Sequence, residues 1–211
     1  DECIDILFRT FCEPGKDNII ICPPTYPMYE VSANINDITV QNAPLLADYQ
    51  LNVAHIEQLV NERTKIIWIC SPNNPTGAVY LPSEIEALTK LAVENDLWIF
   101  DDMIYSDLVY SEHSYVSPVT FDGGLERTLT IGGWSKIWAM TGWRLGWIAG
   151  PTEVMEAVKT CQASSASHIP TFLMGAGAKA LELVEEPRSF YESFAERREV
   201  FHSLLEEIPG V

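Results

Sequence analysis

An α/β domain built on a mostly parallel sheet is predicted for residues 1–211. Short β-branched runs alternate with helical stretches along the whole chain, which is how strands and crossover helices are wound together. Polar motifs close several of the runs: Asn74 follows one, Asp102 ends the next, and Ser135-Lys136 follows a third. Ligands in such sheets bind at the carboxyl ends of strands, so three polar strand ends predict one site.

Taken in order, Ile4, Ile6, Leu7 and Phe11 space a first helix, stopped by Pro14-Gly15. Asn18 to Cys22 reads as a short buried strand. Pro23-Pro24-Thr25-Tyr26-Pro27 is a loop, and a helical stretch runs on to about Ala33. Ile38-Thr39-Val40 is the second strand, and Val53 to Val60 is helical. Lys65 to Cys70 is a β-branched strand ended by Ser71-Pro72-Asn73-Asn74-Pro75-Thr76-Gly77, a run of turn formers. Ser83-x-x-Glu86 reads as a capping box opening a helix with Ile85, Leu88 and Ala92 on one face. Leu97 to Phe100 is the next strand, closing on Asp101-Asp102; Arg127 to Ile131 and Leu145 to Ala149 are two more. Helices follow at about 151–162, 170–184 and 188–207.

The formal net charge is −17, from 30 acidic and 13 basic residues. No basic footprint for nucleic acid is visible, and an acidic membrane surface would repel this chain. The five cysteines include no CxxC pair, and several lie in apolar runs. Reduced, buried thiols in a cytoplasmic protein are expected. The four histidines form no HExxH or Cys/His cluster, so no metal site is expected, and no apolar run is long enough to span a bilayer. Helical pattern already under way at Asp1, and a close just after a long helix, are expected of a piece of a longer chain.

The stretch Gly133 to Gly146 carries the most chemistry. Ser135 and Lys136 stand side by side between Trp134 and Trp138, and Arg144 follows within Thr-Gly-Trp-Arg-Leu-Gly. A lysine in apolar surroundings serves as a nucleophilic amine, and an arginine fork beside a hydroxyl clamps phosphate. Pyridoxal 5'-phosphate (PLP) has both an aldehyde and a phosphate. Lys136 is therefore the candidate for the aldehyde, and Ser135 with Arg144 for the phosphate, a carboxylate partner being the other use for Arg144. Asp102, with Tyr105 three residues on, suits the pyridine nitrogen, Tyr105 then reaching the phenolic oxygen; Asp101 is a rival one residue out of that spacing. An N-cap would be the plainer use of Asp102. Asn74 is either a turn residue or a second donor to the phenolic oxygen. Tyr26 either packs in the core or stacks on the cofactor ring. Asp1 and Glu2 open a helix whose backbone N–H groups could take phosphate.

As an ordered set these motifs resemble the class I/II aminotransferases, the fold-type I PLP-dependent enzymes. Asp1-Glu2, Pro-Pro-Thr-Tyr-Pro-Met-Tyr, Ser-Pro-Asn-Asn-Pro-Thr-Gly, Asp-x-x-Tyr, Ser-Lys and Gly-Trp-Arg-Leu-Gly fall in family order nearly end to end. The resemblance implies a three-layer large domain on a seven-stranded sheet with one antiparallel strand, matched by the run at about 145–149. It implies that residues 1–211 are this PLP-binding domain, without the N-terminal segment and the small C-terminal domain. Residues 1 to about 52 resemble histidinol-phosphate aminotransferase, and those from about Tyr105 the aspartate and aromatic aminotransferases, as a natural mosaic or an engineered chimera would. Glycine at 133 replaces a phosphate-binding serine of some relatives, Asp101-Asp102-Met103 departs from the usual Asp-Glu-Ile, and proline stands at 27 in place of glycine. The implied activity is transamination between an amino donor, histidinol phosphate or aspartate-like, and a 2-oxo acid acceptor, in a homodimer. The alternatives are a PLP lyase, or a PLP-binding module without full activity.

Overall fold

The computed structural model describes residues 1–110 and 113–210; Val211, the last residue of the predicted domain, lies outside them. Among the described residues one sheet contains β1 (Asn18–Ile21), β2 (Thr39–Asn42), β3 (Thr64–Cys70), β4 (Trp98–Asp102), β5 (Thr128–Gly133) and β6 (Gly146–Ala149), in the order β2-β1-β3-β4-β5-β6. The first five are parallel and β6 runs antiparallel to β5, as expected for the run near 145–149. Every strand that the apolar runs mark is present. The seventh implied by the family resemblance has no counterpart among the described residues.

Eight α-helices accompany the sheet among the described residues. They are α1 (Glu2–Phe11), α2 (Met28–Ile35), α3 (Val53–Leu59), α4 (Pro82–Glu94), the single turn α5 (Gly124–Arg127), α6 (Thr152–Ser165), α7 (Thr171–Leu181) and α8 (Glu185–Glu206). Alternate strand residues point to opposite faces, and both faces are covered. Ile66, Trp68, Cys70 and Phe100 join Ile4, Leu7 and Phe8 of α1, Tyr29 and Ala33 of α2 and Val158 of α6. Ile67, Ile69 and Ile99 join Ile56 of α3 and Ile85, Leu88 and Ala92 of α4. A parallel strand covered on both sides is apolar throughout, which is why Asn18–Ile21 is buried at all four positions. The result is three layers, helix on sheet on helix.

Trp68 is the centre of the first layer. Its ring stacks on Tyr29 at 4.6 Å, meets Phe8 at a tilt at 5.2 Å and packs edge-on with Phe100 at 5.1 Å. Each such aromatic pair adds about 0.5–1.5 kcal/mol beyond burial. This cluster ties α1 and α2 to the middle of the sheet, and so fixes the walls of the cleft described below.

One predicted start signal is corrected. α4 begins two residues before Ser83-x-x-Glu86 would place it: Pro82 is the first helical residue, and the Leu81 N–H donates to Glu84 Oε2 at 2.9 Å. Proline is preorganised for the first helical position and has no N–H to leave unpaired, so it overrides the serine one residue later.

Candidate active site

The chain leaves β1 toward β2 on one side and β3 toward β4 on the other. A crevice opens where strand order reverses in this way, and Tyr26 and Asn74 lie on the two loops that leave its edges. The registers Cys70↔Asp102 and Asp102↔Ile131 bring the carboxyl ends of β3, β4 and β5 level. The loop after β5 then delivers Ser135 and Lys136, the 3-10 turn Thr141–Trp143 leads to Arg144, and the start of α1 closes the cleft with Asp1 and Glu2. All nine predicted site residues line one cavity of about 500 Å³.

Asp102 is its buried floor. Its Oδ2 accepts a hydrogen bond from Tyr29 Oη at 2.6 Å and its Oδ1 one from the Ile104 N–H at 3.2 Å. Burial pushes its carboxyl above the usual range, and the Tyr29 and Ile104 hydrogen bonds and more distant positive charge, Lys136 included, pull it back. The turn-capping and cleft-lining uses of Asp102 are therefore not rivals; one oxygen serves the turn. Asp101 points to the other face and does not line the cavity, which answers the rivalry between the two. Asn74 Nδ2 donates to Tyr105 Oη at 3.4 Å, so these two polar groups converge on one point. Lys136 is half-buried, with Nζ 5.3 Å from the centre of the Tyr105 ring.

Three expectations need adjusting. Trp134 and Trp138 flank Lys136 in sequence, yet their indole N–H groups donate to Gly177 O at 3.0 Å and Ala180 O at 2.9 Å. They dock α7, and Tyr105 supplies the aromatic face near the lysine. Arg144 is exposed, in a left-handed conformation (φ 53°) that costs a non-glycine residue energy. It donates to Thr141 O at 3.1 Å, and no carboxylate pairs with it among the described residues. Tyr26 Oη donates to Asp1 Oδ1 at 2.8 Å, and its ring meets Tyr29 edge-on at 5.6 Å. Its hydroxyl thus occupies one acidic oxygen at the mouth of α1.

Sequence reasoning missed Tyr29, fully buried between Trp68 and Asp102. Its spacing of three from Tyr26 at a helix start was the available signal. Gly132, Gly133 and Gly146 also line the cleft. A Cβ on Gly133 would lie 2.9 Å from Leu145 O, and one on Gly132 2.3 Å from the Trp147 ring. Position 133 therefore has no room for the serine of some relatives unless the backbone moves.

A second, wider cavity of about 860 Å³ shares Asn74, Tyr105, Ser135, Lys136 and Thr141 with the first. Its far wall is a stripe of α8, Phe194, Arg198 and His202. Among the described residues that line it, none is an aspartate or glutamate, in a chain of net charge −17. Lys136 stands where the two spaces meet.

The sequence model of the family described as "Aminotransferase class I and II" matches residues 1–211. An aspartate aminotransferase of Pinus pinaster is 34% identical over 207 residues, 95% of this chain and 42% of that protein. An aromatic-amino-acid aminotransferase 2 of Thermococcus litoralis is 41% identical over 151 residues, 69% of this chain and 39% of that protein. The structure of aspartate aminotransferase from Thermus thermophilus with maleate superposes with a TM-score of 0.90 at 33% identity, covering 98% of this chain and 53% of that one. The chain spans about half the length of the curated relatives it matches. The aspartate aminotransferase likeness extends into residues 1–52 as well, so it calls for no mosaic.

Proposed function

The chain belongs to the class I and II aminotransferases, a PLP-dependent family, and from that premise we propose that it carries the PLP site of an enzyme passing an amino group from an amino acid to a 2-oxo acid. The observation that carries this reading is the convergence of the nine residues on one cavity of about 500 Å³, within the usual range for a small-ligand site. The donor set fits PLP: an amine, a carboxylate on an apolar floor, a hydroxyl and an amide meeting at one point, and a hydroxyl with a guanidinium at the rim.

PLP supplies an aldehyde that bonds amines and a ring that accepts the electrons released at the substrate α-carbon. Lys136 Nζ would hold the aldehyde and, once a substrate amine takes its place, act as the base that carries the α-proton. Asp102 would keep a proton on the ring nitrogen, and the Tyr29 hydrogen bond favours the ionised form of Asp102 that this task needs. Tyr105 and Asn74 would bind the phenolic oxygen and Tyr26 the ring face. Ser135, Arg144 and the opening turn of α1, where Asp1 O already accepts from the Ile4 and Asp5 N–H groups, would take the phosphate. The Asp1 and Glu2 side chains oppose that last contact, and the Tyr26 hydroxyl offsets part of the opposition.

The amino donor is an acidic one, aspartate ahead of histidinol phosphate. Support comes from the wider cavity, whose described lining holds Lys136, Arg198 and His202 and no carboxylate, and from the names of the relatives. A homodimer is supported by the apolar side chains left open on α7 and α8, such as Phe172 (73% exposed) and Phe201 (61%). A cytoplasmic setting is supported by five free cysteines; among the described residues no helix is long and apolar enough to cross a membrane. Adding PLP should give a visible absorbance band that Lys136→Ala abolishes, and aspartate should bleach it. An unchanged band in the variant would refute the lysine assignment. Colour without bleaching by any amino acid would leave binding without turnover.

A further inference from the structure

Asp101 is a buried carboxylate that the proposed chemistry leaves without a task. Consecutive strand residues face opposite sides, so Asp102 enters the cleft while Asp101 enters the layer covered by α3 and α4. There it is fully buried, level with Ile69 of β3 and Thr130 of β5. Its Oδ2 accepts hydrogen bonds from Tyr115 Oη at 2.5 Å and Ser117 Oγ at 2.9 Å. Its Oδ1 has no partner among the described residues, and no lysine or arginine there pairs with it. Such a group is costly to bury, and an apolar side chain would continue the face made by Ile67, Ile69 and Ile99.

The path of the chain gives the carboxylate a purpose. From Asp101 the backbone passes Asp102 and Tyr105 at the cleft, then Leu108, Val109 and Tyr110 at the wider cavity. It returns at Tyr115 to the same acid. Ser117 then caps the next turn, accepting from the Val119 N–H at 3.5 Å. Elsewhere this excursion is tied down by the Met103 N–H to Ile131 O at 2.9 Å and by Tyr191 Oη to Val109 O at 3.0 Å. The Asp101 grip ties it behind the sheet as well.

We propose that Asp101 is a positioning residue: by holding Tyr115 and Ser117 on the back of the sheet, it closes the excursion after β4 and sets where Tyr105 stands in the cleft. The cofactor consequence rests on the PLP reading above; the conformational one does not.

The test uses Asp101→Ala, Asp101→Asn and Tyr115→Phe in the full chain. Amide hydrogen exchange is followed without PLP at Ser106 and Leu108, whose N–H groups bond Met103 O and Tyr105 O, and PLP is then titrated by its visible band. Asp101→Ala should speed exchange at both amides about tenfold and weaken PLP binding about tenfold, equivalent to about 1.4 kcal/mol, with a displaced band maximum. Asp101→Asn keeps an oxygen for both hydroxyls and should restore protection and PLP affinity at least to wild-type values. Tyr115→Phe removes one of the two grips and should fall between, which preserves the test if Asp101→Ala does not fold. Unchanged exchange and band in Asp101→Ala or Tyr115→Phe would overturn the proposal. So would Asp101→Asn behaving like Asp101→Ala, since charge and not the grip would then matter. A wild-type chain that binds no PLP refutes the cofactor reading, while exchange still decides the positioning role.

Discussion

Asp101→Asn should change the pH dependence of folding stability in a direction fixed by burial. Desolvation raises the Asp101 carboxyl from 3.8 to about 7, against the pull of the Tyr115 and Ser117 hydroxyls. Between those two values the folded state holds a proton that the unfolded state has released, so stability falls as pH rises across that window. At 1.36 kcal/mol per pKa unit, the cost is about 2 kcal/mol at pH 5 and about 4 kcal/mol above pH 7. An amide cannot ionise and escapes that slope. The stability of Asp101→Asn relative to wild type should therefore improve by about 3 kcal/mol between pH 5 and pH 8. With a urea m-value of about 2 kcal/mol/M, the midpoint difference should widen by about 1–2 M. Urea unfolding of the PLP-free chain, followed by tryptophan fluorescence, measures it. A midpoint difference that stays constant from pH 5 to pH 8 would show that burial does not raise the Asp101 carboxyl in the folded state.

Tyr29→Phe removes the hydroxyl on Asp102 and keeps the stack on Trp68. It should cost about 1.5–3 kcal/mol at pH 8, the range for a hydrogen bond to a charged group, and weaken PLP binding, as urea midpoints and PLP titration will show. Gly124→Ala places a Cβ 1.9 Å from Pro118 O. The backbone must give way, so a loss of about 3 kcal/mol and a melting temperature lower by about 6–12 °C are expected. Burial lifts the Cys12 and Cys22 thiols to about 12 and Cys70 higher still. A thiol-specific reagent at pH 8 should therefore label half-buried Cys161 and Cys3 first and reach the other three only in urea, with mass mapping of the labelled peptides as the readout.

The strands were legible because each is a short apolar run between turn formers, and the sheet buries such runs on both faces. α5 and the 3-10 turns Pro118–Thr120 and Thr141–Trp143 were not, since three or four residues carry no periodicity. Lys136, Asp102 and Asn74 could be picked out because each closes or follows a strand. The partners of Trp134 and Trp138 could not, because two carbonyls more than forty positions away claim their N–H groups. The choice between Asp101 and Asp102 was within reach of a period-two argument once Phe100 is placed with Trp68 on the α1 face. What the sequence withheld was Tyr29, whose hydroxyl matters only through a residue 73 positions on.

The two aspartates at the end of β4 have one charge state easy to maintain and one hard, and the pleat decides which is which. Asp102 meets a phenol, a backbone N–H and the field of Lys136; Asp101 meets two hydroxyls and the repulsion of its neighbour. Two carboxylates this close resist ionising together. Sending them to opposite faces puts the sheet between them and gives the cleft the one with cationic company. On the PLP reading proposed above, a carboxylate facing a protonated ring nitrogen would have to stay ionised beside Cys70, Ile104 and Ile131, apolar residues that line the cleft with it. The Tyr29 hydroxyl therefore matters more than its single hydrogen bond suggests. Without it burial would act on Asp102 with one fewer opposing hydrogen bond, and on the proposed PLP reading the ring nitrogen would face a weaker counter-charge.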